Sequence, residues 1–218
     1  MDIVFAPIYY FCMNIISVQD DAELIDSANT WIQDSLSTFS SPQKILQLPA
    51  GNTPVALYRS WELNRPDFLN GVLFQQVDDV LTGPKSGCFR SFFHEHLPSY
   101  QKHFLPLTGS PIAPGLAILG IGANGHLAFH EPEISMNLNY GCVQLSDSTC
   151  AGLGVTGLTW GLTYGAGHFA KCSALLIIAK GKNKKPLLDT AMAENEPSSP
   201  LSYILKTHSN CTLIIDRV

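Results

Sequence analysis

The stretch Gly120-Ile121-Gly122-Ala123-Asn124-Gly125-His126-Leu127-Ala128-Phe129-His130-Glu131-Pro132 gathers several kinds of chemistry in one place. Its glycines let the backbone come close to a ligand. His126 can give or take a proton near neutral pH, and Glu131 can orient it. Taken alone, the string has competitors. A GxGxxG-like pattern occurs in dinucleotide loops and in plain turns. His126 and His130, four residues apart, would suit a metal ion on a helix. That helix would have to start inside a glycine-rich turn, and no third ligand stands out. Proton transfer is therefore preferred to a metal site.

Two other segments carry polar chemistry. In Pro49-Ala50-Gly51-Asn52-Thr53-Pro54 a strand ends, glycine permits a tight turn and a helix begins. The unpaired N–H groups of a helix N-terminus attract anions, and Thr53 adds a hydroxyl. A simple strand-to-helix turn explains the same string. Asp78 and Asp79 form the second segment. Adjacent carboxylates do not easily enter one pocket together, so one is expected to face the substrate. In a partly desolvated position its pKa rises enough to move protons. An ordinary polar loop start is the alternative.

The elements that must position these residues follow from the hydrophobic pattern. Short aliphatic runs alternate with helical periodicity, as in a mostly parallel sheet covered by helices. Strands are predicted at Ile15–Val18, Ile45–Leu48, Val72–Val77 (ending at Asp78), Leu116–Leu119, Ala174–Ala179 and Thr212–Ile215. Asp20 and Asp21 can cap a helix containing Leu24, Ile25, Ala28 and Ile32, and Pro54 suits a first helical turn. This predicts an α/β fold, a single-domain Rossmann-like three-layer sandwich. LPAGNTP, VDDV and GIGANGH then lie at carboxyl ends of strands, the edge where open α/β sheets bind ligands. Leu105–Pro114 and Ala193–Pro200 read as surface loops rather than linkers. Residues 1–12 read as an N-terminal extension or extra strand ahead of one domain over 13–218.

An apolar fraction of 45% against 14% charged residues suits a large core. A chain this long needs no disulfide or structural metal to fold. The net charge of -5 argues against nucleic-acid binding, though not against a small anion. The six cysteines contain no CxxC pair, so buried reduced thiols in a cytoplasmic protein are expected. Cys150 is near the active region, but nothing marks it as activated. The apolar start has no basic residue before Lys44 and contains Pro7 and Asn14. Neither a secretory signal nor a membrane span is indicated.

The string GIGANGHLAFHEP resembles the GIGxNGHIGFNEP motif of glucosamine-6-phosphate deaminases. LPAGNTP resembles that family's Gly-Ser/Gly-Thr-Pro loop, and VDDV stands where it has Asp-Glu-Tyr. LSDST, LTYGAG and the tail ILKTHSNCTLIID resemble further family segments in order, so the likeness runs from about Met13 to Asp216. The related 6-phosphogluconolactonases share the Gly-His pair but lack the glutamate of Phe-x-Glu-Pro, so Glu131 favours the deaminase. The resemblance implies that His126, oriented by Glu131 and Asn124, opens the sugar ring and that Asp78 moves the proton from C2 to C1. It implies a phosphate held around Ala50, Gly51, Asn52 and Thr53 and by Lys184, with Gly122 and Gly125 lining the site. No cofactor and no metal are implied. The partner is a small sugar phosphate, with homo-oligomer formation left open.

Three departures bear on specificity. Val155 stands, by counting, where the family has a phosphate-gripping arginine, and no arginine lies between Arg90 and Arg217. Losing one charge-assisted hydrogen bond to phosphate costs about 1.5–3 kcal/mol, which is roughly 10- to 100-fold in affinity. Asp79 and Val80 replace Glu and Tyr, and His130 replaces Asn. The leading expectation is a hexosamine-phosphate isomerase/deaminase, with altered specificity. The competitors are a lactonase, disfavoured by Glu131, and a non-catalytic sugar-phosphate sensor, disfavoured by the retained Asp78, His126 and Glu131.

Overall fold

The computed structural model describes residues 13–41, 43–107 and 111–216; the extension or strand expected at 1–12 lies outside them. Nine strands and seven α-helices are named within the described residues. β1 (Asn14–Val18), β2 (Ile45–Leu48), β3 (Leu73–Gln76), β5 (Leu116–Gly120), β8 (Ala174–Ala179) and β9 (Cys211–Asp216) form one sheet, in the order β1-β9-β8-β5-β2-β3. All its pairings are parallel. Each of the six predicted strands is present, two with the predicted bounds and four with ends shifted by one residue.

Strand periodicity sorts the core into two layers. Leu46, Leu48, Leu116, Ile118, Leu176 and Ile178 face one side. There they meet α1 (Asp21–Thr38), α2 (Val55–Asn64) and α3 (Cys88–His96). Ala117, Leu119, Leu175 and Ile177 face the other side, toward α5 (Ala166–Phe169), α6 (Lys184–Ala193) and α7 (Pro200–Thr207). Asp20 caps α1 by accepting the Glu23 N–H at 2.9 Å, while the Glu23 carboxylate accepts from the Gln19 N–H. The two bonds satisfy two backbone N–H donors at the helix start. Ser199, at the end of the segment expected to be a loop, caps α7 in a reciprocal pair with Ser202.

The sequence reading missed a second sheet, which is antiparallel: β4 (Asp78–Val80), β7 (Trp160–Tyr164) and β6 (Tyr140–Gln144). Its strands are short and two of them contain glycine, which weakens the period-two signal. Consequently Asp78 does not end the third parallel strand. That strand stops at Gln76, the chain turns at Val77, and Asp78 opens β4 against Thr163. A small third core of Val80, Phe129, Val143, Leu145, Cys150 and Val155 fixes this sheet to the rest.

Cys150, Cys172 and Cys211 are buried as expected, but Cys142 is exposed and Cys88 is partly so. No helix among the described residues is long and apolar enough to cross a membrane.

Candidate active site

The chain runs outward from β2 to β3, then returns to place β5 on the other side of β2. A crevice opens at such a reversal, between the carboxyl ends of β2 and β5. A cavity of about 180 Å³ sits there, lined by Ala50 to Thr53 after β2, Asp78 on β4, and Gly122 and His126 after β5. Phe89 and Phe129, stacked with centroids 5.3 Å apart, form an apolar wall. The three segments singled out in the sequence therefore meet at one cavity. A larger one, about 440 Å³, lies beside Asp79, Arg90 and His94. It lacks a paired acid and base: Asp79 is fully engaged in holding its own backbone and α3.

The two adjacent carboxylates have separate tasks. Asp79 accepts N–H groups from Val80 at 2.9 Å, Phe89 at 3.0 Å and Arg90 at 3.2 Å, anchoring the start of α3. Asp78 is buried and lines the cavity. Burial, and next the charge of Asp79, push its carboxyl well above the usual carboxylate range. A carboxylate in that condition is a stronger base than one in water.

His126 is held from two sides. Its ring lies over Gly122, where a Cβ would fall 2.1 Å from Nε2. Only glycine leaves room for the imidazole there. On the other side Nδ1 is 3.4 Å from Oε2 of Glu131. That atom is buried and meets hydrogen-bond geometry with no described residue, so the approach is electrostatic rather than a formed bond. Asn124 braces both partners, its Nδ2 donating to Glu131 Oε2 at 2.9 Å and its Oδ1 accepting from the His126 N–H at 3.2 Å.

Glu131 is also gripped by residues that were not singled out as site residues. Ser146 donates to its Oε1 at 2.7 Å, and Thr149 donates to the same oxygen. Ser146 is the N-cap of α4 (Asp147–Leu153) and also accepts the Thr149 N–H at 3.2 Å. Burial by itself raises the Glu131 pKa. The nearby His126 and the donors Asn124, Thr149 and Ser146 together outweigh it and hold the carboxyl far below the usual range. The available signal was the segment LSDST, whose hydroxyls fit a cap but do not announce a carboxylate fifteen residues away.

The turn linking His126 to Glu131 is strained. Leu127 and His130 pair as an isolated bridge, and the His130 N–H donates to the Leu127 carbonyl at 3.0 Å. Ala128 therefore occupies the first central position of a two-residue hairpin, with φ at 53°. Glycine normally fills that position, and a Cβ there costs about 1–2 kcal/mol.

His130 serves structure. Its Nδ1 accepts the Ala166 N–H at 2.8 Å and its Nε2 faces the Ile134 carbonyl at 3.2 Å. The partners assign the neutral tautomer with the proton on Nε2. Both nitrogens are committed, and His126 and His130 lie on a turn rather than a helix. Among the described residues no three His, Cys, Asp or Glu side chains gather as metal ligands.

Gly51 adopts φ of 106°, the conformation that turns the chain from β2 into α2. Two expected ligand-binding residues are not part of the cavity lining. Gly125 binds the start of α7, its carbonyl accepting the Leu201 N–H at 3.0 Å. Lys184 opens α6, beyond the carboxyl end of β8, the strand next to β5. It is half-buried, and burial lowers its pKa. Among the described residues the lining holds no lysine or arginine. Val155 packs in the third core, so the position counted as the family arginine is apolar in its surroundings as well as its side chain.

No family model matches the chain. Glucosamine-6-phosphate deaminases of Bacillus thuringiensis and Bacillus anthracis are each 28% identical over 238 residues, covering 94% of this chain and 87% of theirs. A monomeric glucosamine-6-phosphate deaminase superposes with a TM-score of 0.73 at 22% identity, covering 94% of this chain and 98% of its own. The 6-phosphogluconolactonase of Trypanosoma brucei gives 0.75 at 14%, covering 95% and 97%. The chain is similar in sequence to these deaminases and in fold to deaminases and lactonases alike. The likeness in fold does not separate the two chemistries, because the two TM-scores are nearly equal.

Proposed function

We propose that this protein is an aldose–ketose isomerase/deaminase acting on a hexosamine 6-phosphate. The observation that carries the reading is the pairing of Asp78, a buried carboxylate with a raised pKa, with His126 backed by an ionised Glu131 at the same cavity. Two groups pushed in opposite directions are what a proton-transfer site needs. Lactone hydrolysis has no use for a base at C2, and a pure binder has no use for a buried charge.

His126 moves a proton from O1 to the ring oxygen, opening the pyranose, while Glu131 and Asn124 hold the imidazole. Asp78 then removes the C2 proton as O1 takes one up, and the electron pair forms the C1–C2 double bond. Asp78 returns its proton to C1, the amine gives one up, and C2 becomes an imine. Water adds at C2, the C–N bond breaks, and ammonia leaves with fructose 6-phosphate. The N–H groups at the start of α2 and the Thr53 hydroxyl hold the phosphate, with Lys184, at the start of α6, as the proposed cation. No cofactor or metal enters this scheme. Without the arginine, binding is expected to be about 10- to 100-fold weaker than with it.

The test is ammonia release from glucosamine 6-phosphate. Turnover that drops by about a thousandfold in Asp78→Asn supports the assignment. Hydrolysis of 6-phosphogluconolactone with no ammonia from any amino sugar phosphate would transfer the chain to the lactonases. Binding without any turnover would make it a sensor.

A further inference from the structure

The cavity of about 440 Å³ beside Asp79 takes no part in the proposed proton transfer, yet its size and lining are those of a ligand pocket. Small-molecule sites are mostly apolar hollows of about 300–1,000 Å³ with a few placed polar groups. The two cavities share no lining residue. Along β4, Asp78 lines the catalytic one and Asp79 the other; along α3, Phe89 and Arg90 divide in the same way. Leu81, Phe93, Phe104, Leu107 and Leu162 supply apolar walls to the larger one.

Its polar groups are of two kinds. Gln76, which is buried, and Gln101 are carboxamides whose orientation is fixed. Gln76 Nε2 donates to the Asp78 carbonyl at 2.9 Å, and Gln101 Nε2 donates to those of Phe93 at 2.8 Å and Leu97 at 2.9 Å. A carbonyl can only accept, so each amide spends its NH₂ on the backbone. What each has left, with no partner among the described residues, is its acceptor oxygen. The other kind is cationic. Arg90 enters none of the ion pairs among the described residues. Its guanidinium folds back over Gly87, which also lines the cavity; a Cβ there would lie 3.3 Å from Nη2. Asp79, the one acid of the lining, already accepts three N–H groups. A matching ligand brings an apolar body to the walls, a donor to the glutamine oxygens and an anion to Arg90. A sugar phosphate has the last two but leaves the walls uncovered. We propose that this cavity is a second ligand site, for a small aromatic carboxylic acid carrying a ring N–H or hydroxyl.

The test is calorimetry with three probes: indole-3-acetate, its uncharged amide and its N-methylated form, which lacks the donor. In the wild type the acid should bind about tenfold more tightly than the amide, the worth of one charge-assisted hydrogen bond at a solvent-exposed arginine. That gap should close in Arg90→Gln, whose exposed side chain makes the fold insensitive to the change. The N-methylated acid should bind about threefold more weakly than the parent, or worse. Leu81→Trp, which fills the cavity from its half-buried rim, should abolish binding of the acid. Asp78→Asn should bind it as the wild type does, so the result stands or falls apart from the deaminase reading. No binding at millimolar acid overturns the proposal. So does an acid–amide gap that is absent in the wild type or survives in Arg90→Gln, or an N-methylated acid that binds as tightly as the parent. Displacement of the acid by glucosamine 6-phosphate would place it in the catalytic cavity and overturn the proposal as well.

Discussion

The β4 segment and the hairpin from His126 to Glu131 each bring a buried carboxylate to the active-site edge, yet they treat it in opposite ways. Asp78 is surrounded by apolar bulk and a second carboxylate, and its charged form is disfavoured. Glu131 is as well hidden from solvent, but side chains from its own loop and from α4 donate to it, and its charged form is favoured. Burial alone therefore does not set a pKa; the supply of donors does. The contrast assigns the roles: the first carboxylate is suited to exchange protons, and the second to remain a fixed negative charge behind an imidazole.

Substituting the two carboxylates should give opposite changes in stability. Asp78→Asn removes a charge that folding disfavours, so besides losing turnover it should melt at a higher temperature at neutral pH than the wild type. Asp78 has a folded pKa above its unfolded one, so its contribution to stability is full at low pH and lost as the pH rises through the folded value. A lower melting temperature for Asp78→Asn at pH 7 would break the comparison. Glu131→Gln should do the reverse. Its amide cannot accept from all of its donors as a carboxylate does, and the variant should lose about 2 kcal/mol in denaturant unfolding together with about 10- to 100-fold in kcat. Its neutral side chain also withdraws the negative charge behind His126.

Ser146→Ala sharpens the same contrast with a smaller effect. It removes one donor to Glu131 and the cap of α4, and about 1 kcal/mol of stability is expected to go with them. The Glu131 pKa should rise toward its ordinary value. A depressed carboxylate stabilises above its unfolded pKa, here 4.5, and the gain is lost as the pH falls through the folded value. Acid unfolding followed by circular dichroism should therefore begin at higher pH in this variant.

A separate effect, on the pH dependence of stability and not on turnover, is expected from histidines outside the cavity lining. Burial lowers the pKa of His168 to about 4 and also lowers those of His130 and His208. They fold neutral and become charged on unfolding, so stability should fall as the pH drops from 6.5 toward 4. The slope is at most about 1.4 kcal/mol per pH unit for each histidine. His168→Gln should flatten that slope, and an unchanged slope would remove His168 from the account. Its partner is the Gln47 carboxamide at 2.8 Å, whose Nε2 has no hydrogen-bond partner among the described residues.

The sequence by itself determined the parallel sheet, because runs such as Ala174–Ala179 are buried on both faces and read as continuous apolar stretches. It also determined that three polar segments share one edge, since strand direction is fixed once the strands are parallel. Gly122 and His126 were both legible as site residues, but the glycine was read as letting the backbone approach a ligand, whereas in the fold it leaves room for the imidazole ring. Tertiary structure decided the rest. Which of Asp78 and Asp79 enters the cavity depends on β4 leaving the main sheet to pair with β7, eighty-odd residues away in the chain. The grip of Ser146 and Thr149 on Glu131 depends on where α4 docks. The strain at Ala128 depends on a bridge between Leu127 and His130 that no single-residue preference announces. Local patterns record which face of an element is apolar; a carboxylate's charge state depends on donors that only long-range packing brings within reach.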